Sequence, residues 1–553
     1  MSDKKKVILI GLDGGTFDIM MPFIQDGSMP VIKSLIDEGV HGILKSTFPP
    51  LTCPAWFSFS TGKNPGKLGM FNFYRLEKSS YEIKRFDNRD IENESELWDI
   101  LNSYGFSTGI FNNPVAFPPK SVDGFMVSGF LAPSTNSNFT HPKKLKEELD
   151  RVTGGYEIDA DQGDRYRVEN VVKNCHRILH KRTKAIKYLL NEKMQDFMMF
   201  VYTGSDRMSH QLINMMYLND ENESRWAKEE MKKYFSVLDS EIGEVLDSIK
   251  DENYTLYMMS DHGFHRRDKG FYINQWLINE GFLVLKKPKS ILGKIGITQK
   301  GIATILDKVG LKNFVRGIVP KSIEKRVPIG TIEGSGKAIM DLIQTGGIDW
   351  RNTKAIAIPG GIHINTVDRP EGIVSPDDYA ELRKEIADKL SNISDPRDGS
   401  ALDVEILFRE DIYSGEFVTN APDIQFIIGN YEWGDIRNIP SDGRLFDPLG
   451  TAHHDNKGIF IAHGNGIRKG IKINDANIID LTPTILSSFG IKAPEDMDGK
   501  VLKEVFMGNS KLFNKEITYK KYKPEDIFES KAYPSSQNQE EIEQQLRALG
   551  YLD

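Results

Sequence analysis

The stretch that decides the fold reads Val7-Ile-Leu-Ile-Gly-Leu12, and Asp13-Gly14-Gly15 follows it directly. A short apolar run that ends at turn residues predicts a buried strand. Further apolar runs alternate with helical patterns along the chain, and this alternation is typical of a mainly parallel sheet covered by helices. The sequence therefore predicts an α/β fold, with Asp13 at the carboxyl end of the first strand.

Apolar periodicity places the remaining elements. After the strand at 7–12, strands are predicted at 107–111, 196–202, 254–260, 355–358, 404–408, 424–428 and 458–462. Helices are predicted at 30–39, 96–105, 171–191, 226–250 and 479–490.

Length, charge and cysteine content limit the classes of function. The chain has 553 residues, a net charge of −8 and two cysteines. A negative net charge disfavours binding to nucleic-acid polymers. Two cysteines in so long a chain indicate no disulfide framework, which fits a reducing compartment. The N-terminal apolar run is far shorter than the roughly 18 residues of a spanning helix, and it lacks the cleavage site of a signal peptide. We therefore expect a cytoplasmic protein without a transmembrane segment, and the sequence predicts no oligomeric state.

A basic segment interrupts the alternation of strands and helices. Residues 286–326 carry eleven Lys or Arg side chains against two acidic ones, with apolar residues interleaved. This pattern predicts a basic, mostly helical insertion at 286–349. It is interpreted as a solvated cap on the core, as a lid over an anionic substrate, or as a patch for an anionic membrane surface. The catalytic core is predicted at 1–285 and 350–510, and the tail at 511–553 is predicted to contain a short helix.

Thr52 lies in the run from Pro49 to Gly62, just ahead of Pro54. Proline suits the first turn of a helix. A threonine at this place is interpreted either as an N-cap or as a hydroxyl that faces the positive end of a helix, where anions such as phosphate bind. The polar residues at other predicted strand ends favour the second interpretation.

Three further segments carry metal-ligand side chains next to predicted strands. They are Asp206 and His210 after the strand at 196–202, Asp261 and His262 after the strand at 254–260, and His453 and His454 before the strand at 458–462. A spacing of four places the first pair on one face of a helical turn. In open α/β sheets, ligands bind beyond the carboxyl ends of the strands. We therefore expect these side chains to lie together.

With Asp13 and Thr52, these segments supply seven candidate ligands, because one of the two adjacent histidines takes part. Mixed Asp and His sets suit Zn²⁺, and Mn²⁺ is an alternative. Seven ligands suffice for two ions, which can stabilise both the attacking and the leaving oxygen of a displacement at phosphorus. Coordination would also favour the alkoxide of Thr52. The sequence predicts a site for two divalent cations.

The same motifs resemble those of the alkaline phosphatase superfamily, within it the type I phosphodiesterase/nucleotide pyrophosphatase branch and its predicted phosphohydrolase/phosphomutase group. The resemblance extends from Val7 to about Leu502. It rests on Gly-Leu-Asp-Gly-Gly-Thr-Phe-Asp, Pro-Pro-Leu-Thr-Cys-Pro-Ala-Trp, Ser-Thr-Gly-Lys-Asn-Pro-Gly, Asp-Arg-Met-Ser-His, Ser-Asp-His-Gly-Phe and Asp-Leu-Thr-Pro-Thr-Ile-Leu. It implies an alkaline-phosphatase-like fold, in which a central, mainly parallel sheet is sandwiched by helices, and the basic helical insertion predicted from the charge pattern would be a cap on this core.

The resemblance also implies a role for each residue. One metal would be held by Asp13, Thr52, Asp261 and His262, with Thr52 as the nucleophile. The other metal would be held by Asp206, His210 and a late histidine. The family pattern places this histidine four residues before a glycine that starts a strand. His454 precedes Gly458 by four residues and is therefore favoured over His453.

The chain departs from the nucleotide pyrophosphatase pattern directly after the nucleophile. Those enzymes usually have Phe-Pro-Asn there, and the Asn helps to hold the phosphate, whereas this chain has Cys-Pro-Ala with Ala55 in that place. Asn72 is a candidate for the missing amide. Sulfatase activity is disfavoured, because sulfatases need Cys-x-Pro-x-Arg for their modified nucleophile and here Cys53 is followed directly by Pro54.

The leading hypothesis is a hydrolase of small-molecule phosphate esters, in which Thr52 attacks phosphorus in line and forms a phospho-threonine intermediate. The first alternative is a phosphotransferase or phosphomutase with the same two-metal site, in which the basic segment at 286–326 is a lid that excludes water. The second alternative is a non-catalytic module that binds anionic lipid or a partner through that segment. It is disfavoured because the chain has every predicted ligand.

Overall fold

The computed structural model of the chain describes residues 5–77, 80–86, 88–91, 93–159, 168–249, 253–286, 343, 346–395 and 397–508. Its strands are β1 Lys6–Leu12, β2 Val40–Lys45, β3 Tyr74–Leu76, β4 Ile83–Arg85, β5 Thr108–Asn113, β6 Gly124–Ser128, β7 Thr140–His141, β8 Phe197–Tyr202, β9 Tyr254–Met259, β10 Gly263–Tyr272, β11 Ala355–Ile358, β12 Gly361–Ile364, β13 Val404–Phe408, β14 Ile424–Ile428, β15 Trp433–Ile436, β16 Phe446–Asp455, β17 Lys457–Gly464 and β18 Ile471–Asn477.

The helices follow most of the expected spans. They are α1 Phe17–Gln25, α2 Pro30–Glu38, α3 Thr52–Thr61, α4 Pro65–Leu68, α5 Leu97–Ser103, α6 Leu145–Thr153, α7 Val168–Glu192, α8 Gly204–Leu212, α9 Glu221–Asp247, α10 Ile273–Asn279, α11 Pro376–Ser391, α12 Arg409–Ile412 and α13 Leu481–Ser488.

The central sheet has nine strands among the described residues, in the order β18-β2-β17-β9-β1-β8-β5-β6-β7. β17 runs antiparallel to both of its neighbours and β7 runs antiparallel to β6, whereas the other neighbouring pairs are parallel. Six of the seven residues of β1 and all residues of β8 are buried. A parallel strand buried along its whole length needs cover on both faces of the sheet. The predicted mainly parallel α/β fold is therefore confirmed.

A small sheet built on a long ribbon of β10 and β16, with β15 as its third strand, leaves the central sheet next to its carboxyl edge. β10 begins four residues after β9 ends, and it pairs antiparallel with β16 and parallel with β15. β17 follows β16 after a single residue and returns the chain to the central sheet, where it pairs with β9 and β2. This ribbon matters for the site because β16 carries the two late histidines.

A second apolar core lies beyond the ribbon. It includes Phe271, Trp276, Ile356, Ile362 and Trp433, and a four-stranded sheet in the order β11-β12-β14-β13 contributes to it among the described residues. Residues 350–433, which the sequence groups with the catalytic core, supply much of this second cluster, because their strands pair in that separate sheet. The predicted domain boundaries stay a prediction.

Two predicted segments fall outside the described residues. The basic helical insertion at 286–349 does so except for Lys286, Ile343 and residues 346–349, and the tail from 511 does so entirely. Within the described ranges, no helix combines the length and the apolar composition that crossing a membrane requires.

Candidate metal centre

Three neighbouring parallel strands bring three aspartates to one edge of the central sheet. Asp13 follows β1, Asp206 lies in the first turn of α8 directly after β8, and Asp261 follows β9. β1 lies between β8 and β9 in the sheet. Parallel strands end at the same edge, so the chain turns at each of these ends present the carboxylates to one another. All three side chains are fully buried.

Thr52 is the first residue of α3, and it does not cap the helix. Leu51 occupies the N-cap position with an extended backbone and makes no capping hydrogen bond, so the interpretation of Thr52 as an N-cap is wrong by one residue. The Thr52 Oγ1 atom lies 3.2 Å from His262 Nε2. Every residue of α3 is buried. The Thr52 hydroxyl therefore faces the aspartate cluster at the positive end of a buried helix.

Asp206, His210 and His454 form the first close group of metal-ligand atoms. The Asp206 Oδ1 atom lies 3.5 Å from His210 Nε2 and 3.3 Å from His454 Nε2, and the two Nε2 atoms lie 3.0 Å apart. Ligand atoms that surround a tetrahedral ion at about 2.0–2.2 Å are roughly 3.3–3.6 Å from each other. The two distances from Asp206 Oδ1 have this spacing, whereas the two Nε2 atoms lie closer together than the ligands of a bound tetrahedral ion would.

Thr52, Asp13, Asp261 and His262 form the second group. The His262 Nε2 atom lies 3.3 Å from Asp261 Oδ2 and 3.7 Å from Asp13 Oδ1, in addition to its contact with Thr52. Ligand atoms of Asp13, Asp206 and His262 also lie within 4.8 Å of one another. Asp206 thus borders both groups.

The two groups are in direct contact. The rings of His262 and His454 stack with centroids 3.6 Å apart and an interplanar angle of 15°. Phe264 packs edge-on against the rings of His210 and His454. The structure therefore brings all seven predicted ligands together in one cluster, in which His210 is the partly exposed member.

The pairing of β10 with β16 selects between the two adjacent histidines. His454 lies opposite Phe264 and His453 lies opposite His265. Successive side chains of a strand point to opposite faces, so only one of the two can join the cluster. It is His454, which is 1% exposed, whereas His453 is more exposed and accepts a hydrogen bond from the His454 backbone N–H.

Backbone groups fix the orientation of the three histidines. The Nδ1 atoms of His262 and His454 lie 3.1 Å from Gly263 O and 3.2 Å from Pro50 O, respectively, and His210 makes a hydrogen bond to the backbone of Ala452. An Nδ1–H that donates to a carbonyl leaves the lone pair on Nε2. The Nε2 atoms of His262 and His454 are thereby prepared to bind a cation.

Burial sets the protonation of these groups. Burial lowers the pKa of His210, and burial together with the neighbouring His262 holds the pKa of His454 well below its usual range. Both rings are therefore neutral at neutral pH, which is the form that binds metals. Burial, followed by the charges of Asp261 and Asp206, raises the pKa of Asp13 well above its usual range. Several carboxylates this close together require a compensating positive charge.

The residues present fit divalent cations. Both carboxylate oxygens of Asp13 and the Oδ2 atom of Asp261 are buried and accept no hydrogen bond from any described residue. A buried carboxylate without a partner is costly unless it is paired or coordinates a metal. Asp and His donors together with a hydroxyl suit Zn²⁺, and they also suit Mn²⁺.

Two glycines allow the close approach of the chain segments. A Cβ atom on Gly263 would lie 2.3 Å from Asp455 Oδ1 and 2.4 Å from Lys457 O. Gly14 has a φ of 67°, and its N–H donates to Asp261 Oδ1 at 3.1 Å. Glycine at these positions lets both turns carry ligands side by side.

No hydrogen bond among the described residues joins Asn72, the remaining predicted site residue, to this cluster. Its Oδ1 atom accepts from the Phe73 N–H at 2.7 Å, and its Nδ2 atom lies next to Gly360. Its predicted role in holding phosphate stays a prediction.

Sequence reasoning missed Arg207 and Asp159. Arg207 is 3% exposed, and it makes ion pairs with Asp206 and Asp159. The Asp-Arg dipeptide at 206–207 could have indicated this network in the sequence. Arg207 lies between the candidate ligands Asp206 and His210, and a basic residue buried there needs an acidic partner. Asp159 gave no signal, because it lies far from the motif in sequence.

A protein family and several solved structures are similar to this chain. The family model for type I phosphodiesterase/nucleotide pyrophosphatase matches residues 7–433. Human ectonucleotide pyrophosphatase/phosphodiesterase 5 shares 13% identity, with 90% of this chain and 97% of that chain covered and a TM-score of 0.48. Phosphonoacetate hydrolase from Sinorhizobium meliloti also shares 13% identity, with 87% and 94% covered and a TM-score of 0.50, which shows a common fold. No curated protein sequence matches the chain.

Proposed function

The chain belongs to the type I phosphodiesterase/nucleotide pyrophosphatase family, a family of phosphoric ester hydrolases, and we propose that it hydrolyses a small phosphate ester by attack of Thr52 on phosphorus. The observation that carries this proposal is the position of the Thr52 hydroxyl. It lies at the first turn of a buried helix, 3.2 Å from His262 Nε2 and within the aspartate cluster. A lone threonine hydroxyl is a weak nucleophile at its ordinary pKa. Its role as nucleophile therefore depends on the surrounding Asp and His side chains and the cations that they would bind.

The seven residues would hold two divalent cations, most simply Zn²⁺, with Mn²⁺ as the alternative. Asp13, Thr52, Asp261 and His262 would hold one, and Asp206, His210 and His454 the other. When bound, such ions lower the pKa of a coordinated hydroxyl and stabilise negative charge on the oxygens of the transferring phosphoryl group.

The chemical steps involve Thr52 directly. Its Oγ1 atom loses its proton to solvent and forms a bond to phosphorus, while the bond from phosphorus to the leaving oxygen breaks and that oxygen takes up a proton from solvent. This gives a phospho-threonine and an alcohol or a second phosphate as the leaving group. A water molecule then attacks the phosphorus, the bond to Oγ1 breaks, and phosphate or a phosphomonoester is released. Burial of α3 holds Oγ1 in place for both displacements.

The phosphotransferase or phosphomutase alternative depends on the segment at 286–326. Membrane contact would also involve this segment, and nearly all of it lies outside the described residues. A cytoplasmic location is also proposed, because two cysteines in a chain of 553 residues indicate no disulfide framework.

The test compares Thr52→Ala with Thr52→Ser on phosphomonoesters and phosphodiesters, after removal of metals and reloading with Zn²⁺ or Mn²⁺. Thr52→Ala should lower kcat on the order of 10³-fold or more, as expected for loss of a nucleophile. Thr52→Ser keeps the hydroxyl and should retain much of the activity. Full activity of Thr52→Ala would contradict the proposal. An added alcohol acceptor that diverts the phosphoryl group from water would support the transferase alternative.

A further inference from the structure

A chain of buried charged side chains continues from Asp206 away from the metal-ligand cluster. Arg207 donates from Nη1 to Asp206 Oδ2 and from Nη2 to Asp159 Oδ2, the latter at 2.8 Å. The exposed fractions of the three side chains are 0% for Asp206, 3% for Arg207 and 6% for Asp159. The guanidinium carbon lies 5.2 Å from the ring centroid of Phe130, so an aromatic face supports the guanidinium.

The far end of this chain is also fixed. The Thr203 hydroxyl donates to Asp159 Oδ1 at 3.0 Å, and Arg182 Nη1 donates to Thr203 Oγ1 at 2.9 Å. Both oxygens of Asp159 therefore accept hydrogen bonds from buried groups. A guanidinium that donates to two carboxylates in a fixed fork has little freedom to rotate.

This arrangement gives the two oxygens of Asp206 different partners. Oδ2 accepts from Arg207, whereas Oδ1 faces His210 and His454 at 3.5 and 3.3 Å. A carboxylate held by one oxygen cannot turn its plane freely, so the other oxygen keeps a constant direction. That direction is toward the Nε2 atoms with which it would share a cation.

The charge of Arg207 is compensated. An arginine buried beside a cation site would repel the cation, since the interaction of charges is strong away from water. Asp159 carries the opposite charge at 2.8 Å from Arg207 Nη2. The pair is neutral overall, and it therefore orients Asp206 without opposing cation binding.

We propose that Arg207 and Asp159 are positioning residues for the ion held by Asp206, His210 and His454. Arg207 fixes the Asp206 carboxylate, and Asp159 fixes Arg207 and neutralises its charge. This inference depends on the proposed two-metal function. Partners of this kind typically change metal affinity by about 10–100-fold when they are removed.

The experiment measures metal binding rather than activity. Chelator-treated wild-type protein, Arg207→Met, Arg207→Lys and Asp159→Asn are titrated with Zn²⁺ by calorimetry, and the visible spectrum is recorded with Co²⁺ in its place. A His454→Ala variant identifies the binding event that belongs to the Asp206 group. That event should weaken about 10–100-fold in Arg207→Met and in Asp159→Asn, and less in Arg207→Lys, which keeps the charge. The affinity of the other ion should stay unchanged, and the Co²⁺ spectrum of the affected site should shift.

A double variant and a matched control separate positioning from general destabilisation. Because Asp159 acts through Arg207, Asp159→Asn should add little to the loss in Arg207→Met. Lys120 is a buried cation elsewhere, with Glu96 Oε2 at 2.8 Å and Asp99 Oδ2 at 2.9 Å, so Lys120→Met should lower thermal stability without changing either affinity. If Arg207→Met and Asp159→Asn each bind two ions at wild-type affinity, the positioning role of these two residues is wrong and the proposed function is unaffected. A wild-type protein that binds no ion would overturn the proposed function as well.

Discussion

At the scale of single residues, adjacent histidines in β16 have different surroundings. His454 stacks on His262 and faces Asp206, whereas His453 lies on the other face of the ribbon, opposite His265. The sequence predicts that both histidines lie near the site. It favours His454 over His453 only through the spacing to Gly458 that the resembled family shows. Strand pairing supplies the physical reason, because a shift of one residue would exchange the two side chains.

The predicted consequence is a large difference between two neighbouring substitutions. His454→Ala should remove one of the two bound ions and lower kcat by about 10²-fold or more, since a ligand contributes more than the 10–100-fold of its outer partners. His453→Ala should keep both ions and most of the activity. Metal content by mass spectrometry and steady-state kinetics measure both effects. The reverse order of effects would mean that His453 is the ligand.

At the scale of elements, the turn between β9 and β10 depends on Gly263. A side chain there would collide with Asp455 Oδ1 and Lys457 O, and the collision would displace the neighbouring His262. Gly263→Ala should therefore lower the free energy of unfolding by about 1–3 kcal/mol, as overpacking does, and should reduce activity further than the stability loss explains.

The matched control is Gly243→Ala in α9. A Cβ atom there would approach only a methyl carbon of Val31, at 3.0 Å. Alanine stabilises a helix interior by roughly 0.5–1 kcal/mol relative to glycine. Gly243→Ala should thus leave the activity unchanged and change the stability little, because the gain in helix stability opposes the tight contact with Val31. Thermal unfolding and steady-state kinetics of both variants test the pair. A Gly263→Ala variant with the stability and activity of wild type would refute the role of this turn.

Elements with clear apolar patterns were predictable, and polar ones were not. The bounds expected for β11, β13 and β14 are those observed. α9 begins five residues earlier than predicted, because Asp220 caps a polar first turn by accepting from two backbone N–H groups. β10 was missed, since its sequence is rich in charged residues and its strand forms through pairing with β16 and β15.

At the scale of the whole molecule, the metal centre joins separate parts of the chain. Asp13, Thr52, Asp206, Asp261 and His454 come from five segments that only the folded sheet brings together. Ion removal should therefore destabilise the whole protein, because carboxylates at the ends of β1, β8 and β9 then lie together without compensation. A chelator should lower the unfolding temperature at pH 7, and added Zn²⁺ should restore it.

Asp13→Asn should raise the stability of the metal-free protein and lower the stability of the metal-bound protein. In the metal-free protein the pKa of Asp13 is raised, so its ionisation favours the unfolded state as the pH rises above about 3.8. We therefore expect metal-free Asp13→Asn to be more stable than wild type at pH 7, because the variant has no carboxyl to ionise at this buried position.

The same shift fixes how the difference depends on pH. The stability difference between the two metal-free proteins should shrink as the pH falls to about 3.8 and below, because the Asp13 carboxyl is then protonated in both states. With Zn²⁺ present the order should reverse, because the variant loses a ligand. Chemical unfolding across this pH range measures the effect, and a difference independent of pH would contradict it.

The sequence indicated the ligands of the site better than their supports. Asp and His residues at strand ends are visible as motifs, because the polarity changes abruptly after an apolar run. Asp159 supports Asp206 from a distant segment, and the Pro50 carbonyl orients His454 through the backbone, so neither leaves a pattern in the sequence. The second apolar core was also invisible in the sequence, since its strands resemble those of the central sheet.

In the proposed reaction, Thr52 carries the phosphoryl group during turnover. The most direct test is acid quenching of the reacting enzyme within its first turnovers, followed by mass spectrometry of the peptide from the α3 region. We expect a phosphorylated peptide with the added group on Thr52, and its absence in Thr52→Ala. Rapid turnover with no phosphorylation at Thr52, or with phosphorylation at another residue, would contradict it.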